Sequence, residues 1–96
     1  MALIKCGGGK APNEMIDYGL ELTASKSFSV KAGDLIYTAY YSGADNMQYT
    51  NAVSVANKSS SASGGTNFFR ILEASSDGTV TLTITGNVNL YYAQFR

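Results

Sequence analysis

Few side chains in this sequence could do chemistry. Histidine is absent, and cysteine occurs once, at Cys6. The seven carboxylates are Glu14, Asp17, Glu21, Asp34, Asp45, Glu73 and Asp77. Without histidine there is no histidine-based triad and no histidine-ligated zinc site. Acid–base work by carboxylates needs two of them converging on one pocket. Asp34, Asp45 and Asp77 instead stand beside glycine or asparagine, where aspartate is favoured by hydrogen bonds to its own turn. No D-x-[DN]-x-[DN]-G spacing offers calcium a loop. Gly9-Lys10 hints at a phosphate loop, but Ala11 follows where Ser or Thr is required, and Ile4 stands where the first glycine should be. A lone Cys6 forms no intrachain disulfide, and it reads as a small apolar residue rather than an activated thiol. Asn57-Lys58-Ser59 is a formal glycosylation sequon that matters only in a secretory pathway. The expectation is a protein that is not an enzyme and uses no cofactor and no metal.

The aromatics are the more informative chemistry. Seven Tyr and four Phe are heavy for 96 residues. Tyr37, Tyr40, Tyr41, Tyr49, Tyr91 and Tyr92 are too many polar-tipped rings for one small core. They read either as cross-strand ladders within sheets or as a sugar-stacking or subunit surface, where Tyr is enriched.

Composition narrows the partners. The chain has 15% charged residues, seven basic against seven acidic. A nucleic-acid binder normally carries a basic excess to displace counterions, and a polybasic membrane patch is equally absent. No apolar run reaches the ~18 residues of a membrane span. The opening MALIKCGGGK has no signal-peptide hydrophobic region. Neither nucleic acid nor membrane is an expected partner. Eleven Ser and eight Thr replace the missing charge, as on a hydroxyl-lined sheet face.

The elements that must position these residues are strands. Residues 18–23 alternate, with Tyr18, Leu20 and Leu22 on one face. Residues 27–31 alternate with Phe28 and Val30 inward, and the short polar link predicts a hairpin between the two. Ala32-Gly33-Asp34 is a tight turn. In the strand at 35–42, Leu35, Tyr37, Ala39 and Tyr41 share one face and Ile36, Thr38 and Tyr40 the other. Apolar groups on both faces suit a strand buried on both sides. Residues 42–48 read as a turn cluster and 49–56 as a strand. The stretch 57–66, NKSSSASGGT, reads as a mobile surface loop. Residues 67–75 form a strand, and 76–78 a turn. Upstream, 2–6 is a short strand or docking arm and 7–13 a loop, with Asn13 a candidate cap for one helical turn over 13–17. The result is an all-β chain: a single small antiparallel β-sandwich, jelly-roll-like, of about six to eight strands with no substantial helix. It spans 1–96 as one domain, with 1–13 a Gly-rich arm.

The closing stretch carries the cleanest pattern. Val80, Leu82 and Ile84 alternate with Thr79, Thr81, Thr83 and Thr85, and Gly86-Asn87 predicts a β-hairpin with VNLYYAQF. A two-residue loop sets Asn89, Tyr91, Ala93 and Phe95 on the core face. A three-residue loop puts Val88, Leu90 and Tyr92 there instead, and turns Asn89, Tyr91 and Ala93 outward. Either register leaves a tyrosine outside. Tyr40, Tyr41, Tyr49, Leu90, Tyr91 and Tyr92 are therefore the candidate interface or ligand surface.

SVKAGD followed by a Tyr-rich strand, and the closing SDGTVTLTITGNVNLYYAQF, resemble small β-sandwich virion proteins of tailed bacteriophages, of the decoration, head-fibre or tail-adhesion type. The resemblance lies in the style of the whole chain rather than in a motif, so it transfers no functional residue. It implies a structural role in the virion, assembled in the host cytoplasm. The implied partners are a homo-oligomer, with a trimer favoured, other virion proteins such as a major capsid protein, and host glycans in some cases. The alternative is a carbohydrate-binding or host-adhesion module using surface tyrosines.

Overall fold

The computed structural model describes residues 14–22, 25–86 and 88–96. Within them the chain forms eight strands and no helix. These are β1 Met15–Glu21, β2 Ser25–Val30, β3 Leu35–Ser42, β4 Met47–Tyr49, β5 Ala52–Ala62, β6 Gly65–Ala74, β7 Gly78–Ile84 and β8 Leu90–Phe95. Five make one antiparallel sheet in the order β1-β8-β3-β6-β5, and three make the other in the order β2-β7-β4. The first strand pairs with the eighth, the second with the seventh and the third with the sixth. The chain is thus one long ribbon rolled into two layers, which is the pairing scheme of a jelly roll. β5 departs from that scheme and pairs with its neighbour β6 at the edge of the larger sheet. The expected antiparallel sandwich is the observed architecture.

Period-2 alternation builds the core. Phe28 and Val30 of β2, and Val80, Leu82 and Ile84 of β7, face Ile36 and Tyr40 of β3, Leu72 and Ala74 of β6 and Leu90 of β8. Two polar side chains point into the same layer, and both are satisfied, as buried polar groups must be. The Thr38 hydroxyl donates to the Arg70 carbonyl at 2.9 Å. The Gln94 amide donates to the Ser29 carbonyl at 2.9 Å and to Asp34 at 3.1 Å, tying β8 to β2 across the layers.

Several local expectations are overturned. The closing hairpin does not form: β7 lies between β2 and β4, while β8 lies between β1 and β3 in the other sheet. The two strands differ in what they carry outward, hydroxyls on β7 and aromatics on β8, and the roll sorts them into separate layers. Val88 is buried where the chain crosses. The outward set Asn89, Tyr91 and Ala93 matches the second parity considered, although no hairpin sets it. Likewise β1 and β2 do not pair with each other. Residues 15–17 are strand rather than helical turn. The strand expected at 49–56 is broken by Asn51, at φ 58°, into β4 and β5. The stretch expected as a loop, 57–66, is mostly ordered strand: β5 runs to Ala62 and turns through Ser63-Gly64 into β6, with Gly64 at φ 79°. Pairing with Phe68, Phe69 and Arg70 outweighs the coil preference of its serines. The arm and loop expected over 1–13, Cys6 included, lie outside the described residues. Among the described residues no helix is long and apolar enough to cross a membrane.

Candidate functional site

Alternation gives each sheet a second, outward face, and the two outward faces differ in kind. On the three-stranded sheet, Ser25, Ser27 and Ser29 stand opposite Thr83, Thr81 and Thr79. Between β2 and β7 this face is hydroxyl, with Ser27 Oγ 3.0 Å from Thr81 Oγ1, and β4 adds the exposed amide of Gln48 beside Thr83. On the five-stranded sheet the corresponding positions of β1, β8 and β3 are mostly apolar, and polar residues enter on β6 and β5. The apolar ones include Met15, Tyr18 and Leu20 on β1, Tyr91, Ala93 and Phe95 on β8, Tyr37, Ala39 and Tyr41 on β3, and Phe69 on β6.

Some of these rings are held by one another. Tyr37 meets Phe95 edge-on at 5.2 Å and Phe69 at 6.3 Å, so three strands are stitched by aromatic contacts on the outside of the sheet. Others stand bare: Tyr18 is 70% exposed, Tyr91 55%, Met15 52%, Leu20 44% and Phe69 39%. Between them runs a shallow groove of about 580 Å³. Among the described residues, no charged side chain lines it. Large exposed apolar patches on soluble domains mark interaction sites.

At the β3 end, Tyr41, Val88, Asn89 and Tyr91 line a second, smaller cavity of about 290 Å³. The Tyr41 ring is fixed although it is 44% exposed. Its hydroxyl donates to the Ser63 carbonyl. It also lies so close over Gly65 that a Cβ there would sit 2.8 Å from Tyr41 Cζ. A glycine at 65 is what lets the ring lie flat.

Of the six residues singled out from sequence, the structure brings Tyr41 and Tyr91 together on this surface. The other four point into the sandwich. Leu90 is fully buried. Tyr40 is buried, and its hydroxyl donates to Asp45 at 2.7 Å. Burial, reinforced by that carboxylate, raises the Tyr40 pKa well above the ordinary tyrosine value. Tyr49 packs against the core beneath the Arg70 guanidinium, which is 5.8 Å from its ring centre. Tyr92 meets Phe28 edge-on at 5.2 Å, and the Lys26 ammonium lies over both rings. Sequence reasoning missed Met15, Tyr18, Leu20 and Phe69, because alternation alone assigns an apolar face to the core. The readable signal was β3, whose two faces are both apolar.

Two aspartates, Asp34 and Asp45, tie parts of the fold together. Asp34 is fully buried at the start of β3. Its carboxylate accepts from the Lys31 amide, from Gln94 and from two nitrogens of Arg96, at 2.9–3.1 Å. Burial pushes this carboxyl up, but Arg96, the Lys31 amide and Gln94 outweigh it and hold the pKa below the ordinary aspartate value. Oδ2 accepts three of these bonds and Oδ1 one. Asp45 is similarly engaged by Tyr40 and by Arg70, the latter at 2.7 Å. Among the described residues no three Cys, Asp or Glu side chains cluster to hold a metal ion. What the surface can do chemically is bind, through apolar contact and ring stacking. No protein-family model, curated protein or solved structure matches this chain.

Proposed function

We propose that this chain is a non-enzymatic structural protein of a virus particle, a capsid decoration or head–tail accessory protein that oligomerises and binds other virion proteins. The observation that carries the reading is the uncharged aromatic groove on the five-stranded sheet, bare in the single chain. A face of this kind is stable in water when another protein surface covers it. Support also comes by analogy of fold, because jelly rolls build many viral capsid domains. The test is co-sedimentation of the purified chain with capsids assembled from the major capsid protein of the same genome. The chain is expected in the pellet, and Tyr18→Thr combined with Tyr91→Thr should return it to the supernatant. Wild-type chain that stays in the supernatant would sink the reading.

A second reading, carbohydrate binding, is favoured by the smaller cavity. A sugar ring stacks on an aromatic face that is already fixed, and Tyr41 is held that way beside the exposed amide of Asn89. Asn89 lines this cavity and not the larger groove. Loss of a glycan-array signal on Asn89→Ala, with co-sedimentation intact, would therefore separate the two readings.

A further inference from the structure

We infer that the aromatic face pairs with the same face of a second copy of this chain, two five-stranded sheets stacking about a twofold axis. This rests on the reading that the face is covered in an assembly and names the occupant, with the pair as the form that meets other virion proteins, so that variants of this face lose pairing and co-sedimentation together. The argument comes from the register of the two central strands. Ala93 of β8 stands beside Tyr37 of β3, and the next outward pair is Tyr91 beside Ala39. On these two central strands large and small residues therefore alternate both along and across, as a two-by-two checkerboard, while the flanking strands are large in both rows, Tyr18 and Leu20 on β1 and Ile71 and Phe69 on β6. Turned over about an axis across the strands, between these two rows, the pattern meets itself large on small. Tyr91 of each copy then lies on Ala93 of the other, and Tyr37 lies on Ala39. Sheets packed face to face interdigitate their side chains in this way.

Area and charge agree with such a contact. Met15, Tyr18, Leu20, Phe69 and Tyr91, at their 39–70% exposure, present on the order of 500 Å² of side-chain surface. A standard interface takes about 800 Å² per partner, and the groove floor and the half-buried Tyr37 and Phe95 contribute towards the rest. No charge lines the groove at the centre of the contact, and the charges on this face, Lys58 beside Phe69 and Glu73 beside Leu35, stand towards its β5 margin. A threefold ring needs two different patches meeting head to tail, whereas a twofold pair needs one patch that fits itself. The checkerboard is one such patch.

The test is sedimentation velocity on the full chain across a micromolar range. The wild type is expected at the mass of two chains. Tyr91→Ala, which removes the projecting ring, should raise the dissociation constant by roughly thirtyfold or more, as loss of a central aromatic anchor does. Ala39→Arg, which fills the hollow with a charge, should abolish pairing. Tyr91 is more than half exposed, so its variant keeps the fold and decides the matter even where Ala39→Arg misfolds. A monomeric wild type at high micromolar concentration would overturn the inference, and so would a dimer indifferent to Tyr91→Ala or a three-chain mass. A monomer that still co-sediments with capsids overturns the pairing while leaving the virion reading standing.

Discussion

The two outward faces of this sandwich are a controlled comparison inside one chain. Both belong to antiparallel sheets, and both back onto the same core. One is written in serine and threonine, Ser25, Ser27 and Ser29 against Thr83, Thr81 and Thr79. The other is written in tyrosine, phenylalanine, methionine and leucine around a groove. The first shows how this sequence makes a face for water: short hydroxyl side chains that bond across the strands and to solvent. The fold therefore does not require an aromatic exterior, and the second face departs from a solution the chain itself uses on the other layer, one sheet spacing of ~10 Å away. The departure is concentrated on β1, β8, β3 and β6, and on β5 it gives way to Lys58 and Ser60. That places the selective reason on one bounded surface.

The most damaging way to break the comparison is to separate the layers that carry the two faces. Asp34, Gln94 and Arg96 hold β3, β8 and β2 together at one end of the roll. Asp34→Ala leaves one Gln94 N–H and the part-exposed Arg96 guanidinium without this acceptor, and should cost about 3 kcal/mol in urea unfolding. Folding lowers this carboxyl's pKa, so its stabilisation is complete above the unfolded carboxylate range and is lost as pH falls through the folded value. The acid limb of the stability profile should flatten in Asp34→Asn. An unchanged acid limb would show that Asp34 is not the group that titrates.

Gly65→Ala comes next. Its Cβ would lie 2.8 Å from Tyr41 Cζ and 3.0 Å from the Ser42 carbonyl oxygen. Overpacking of this kind costs about 1–3 kcal/mol. Because the ring gives way before the backbone does, any saccharide binding at Tyr41 should weaken more than stability falls. A smaller change sharpens the contrast directly. Tyr91→Thr with Phe69→Thr writes the hydroxyl face onto the aromatic one. Stability should move by about 1 kcal/mol, while binding of a fluorescent apolar dye to the folded protein drops. A persistent dye signal would place the exposed apolar surface elsewhere.

How much of this was readable in the sequence follows from the same contrast. β7 was legible to the residue, since Val80, Leu82 and Ile84 differ sharply from the threonines between them. β8 was not, because Leu90, Tyr91, Tyr92 and Ala93 offer two apolar faces and alternation has nothing to choose between. Pairing was hidden for a further reason. Gly86-Asn87 is a good local turn signal, but the partners of β7 and β8 are set by contacts more than thirty residues away in the chain. Serines 59–61 have the composition of a coil, and strand pairing with β6 overrides it. As for the site, the excess of tyrosine announced an exterior surface, and Tyr41 and Tyr91 were found by it. Tyr18 and Leu20 were not, because nothing local marks β1 as outward-facing rather than core.

The smallest expected effect tests the contrast most sharply. Ser27→Ala removes the 3.0 Å hydroxyl pair with Thr81. Both groups are at the surface, so water takes the vacated position, and the cost should stay within about 0.5 kcal/mol. Tyr37→Ala on the opposite face removes two edge-on ring contacts, each worth about 0.5–1.5 kcal/mol beyond burial, and water replaces neither. The ratio of the two costs therefore measures what distinguishes the faces. On one, solvent substitutes for any missing partner. On the other, only another apolar group can. If Ser27→Ala cost as much as Tyr37→Ala in the same urea titration, the hydroxyl face would be more than a solvated exterior, and the aromatic face would lose its internal control.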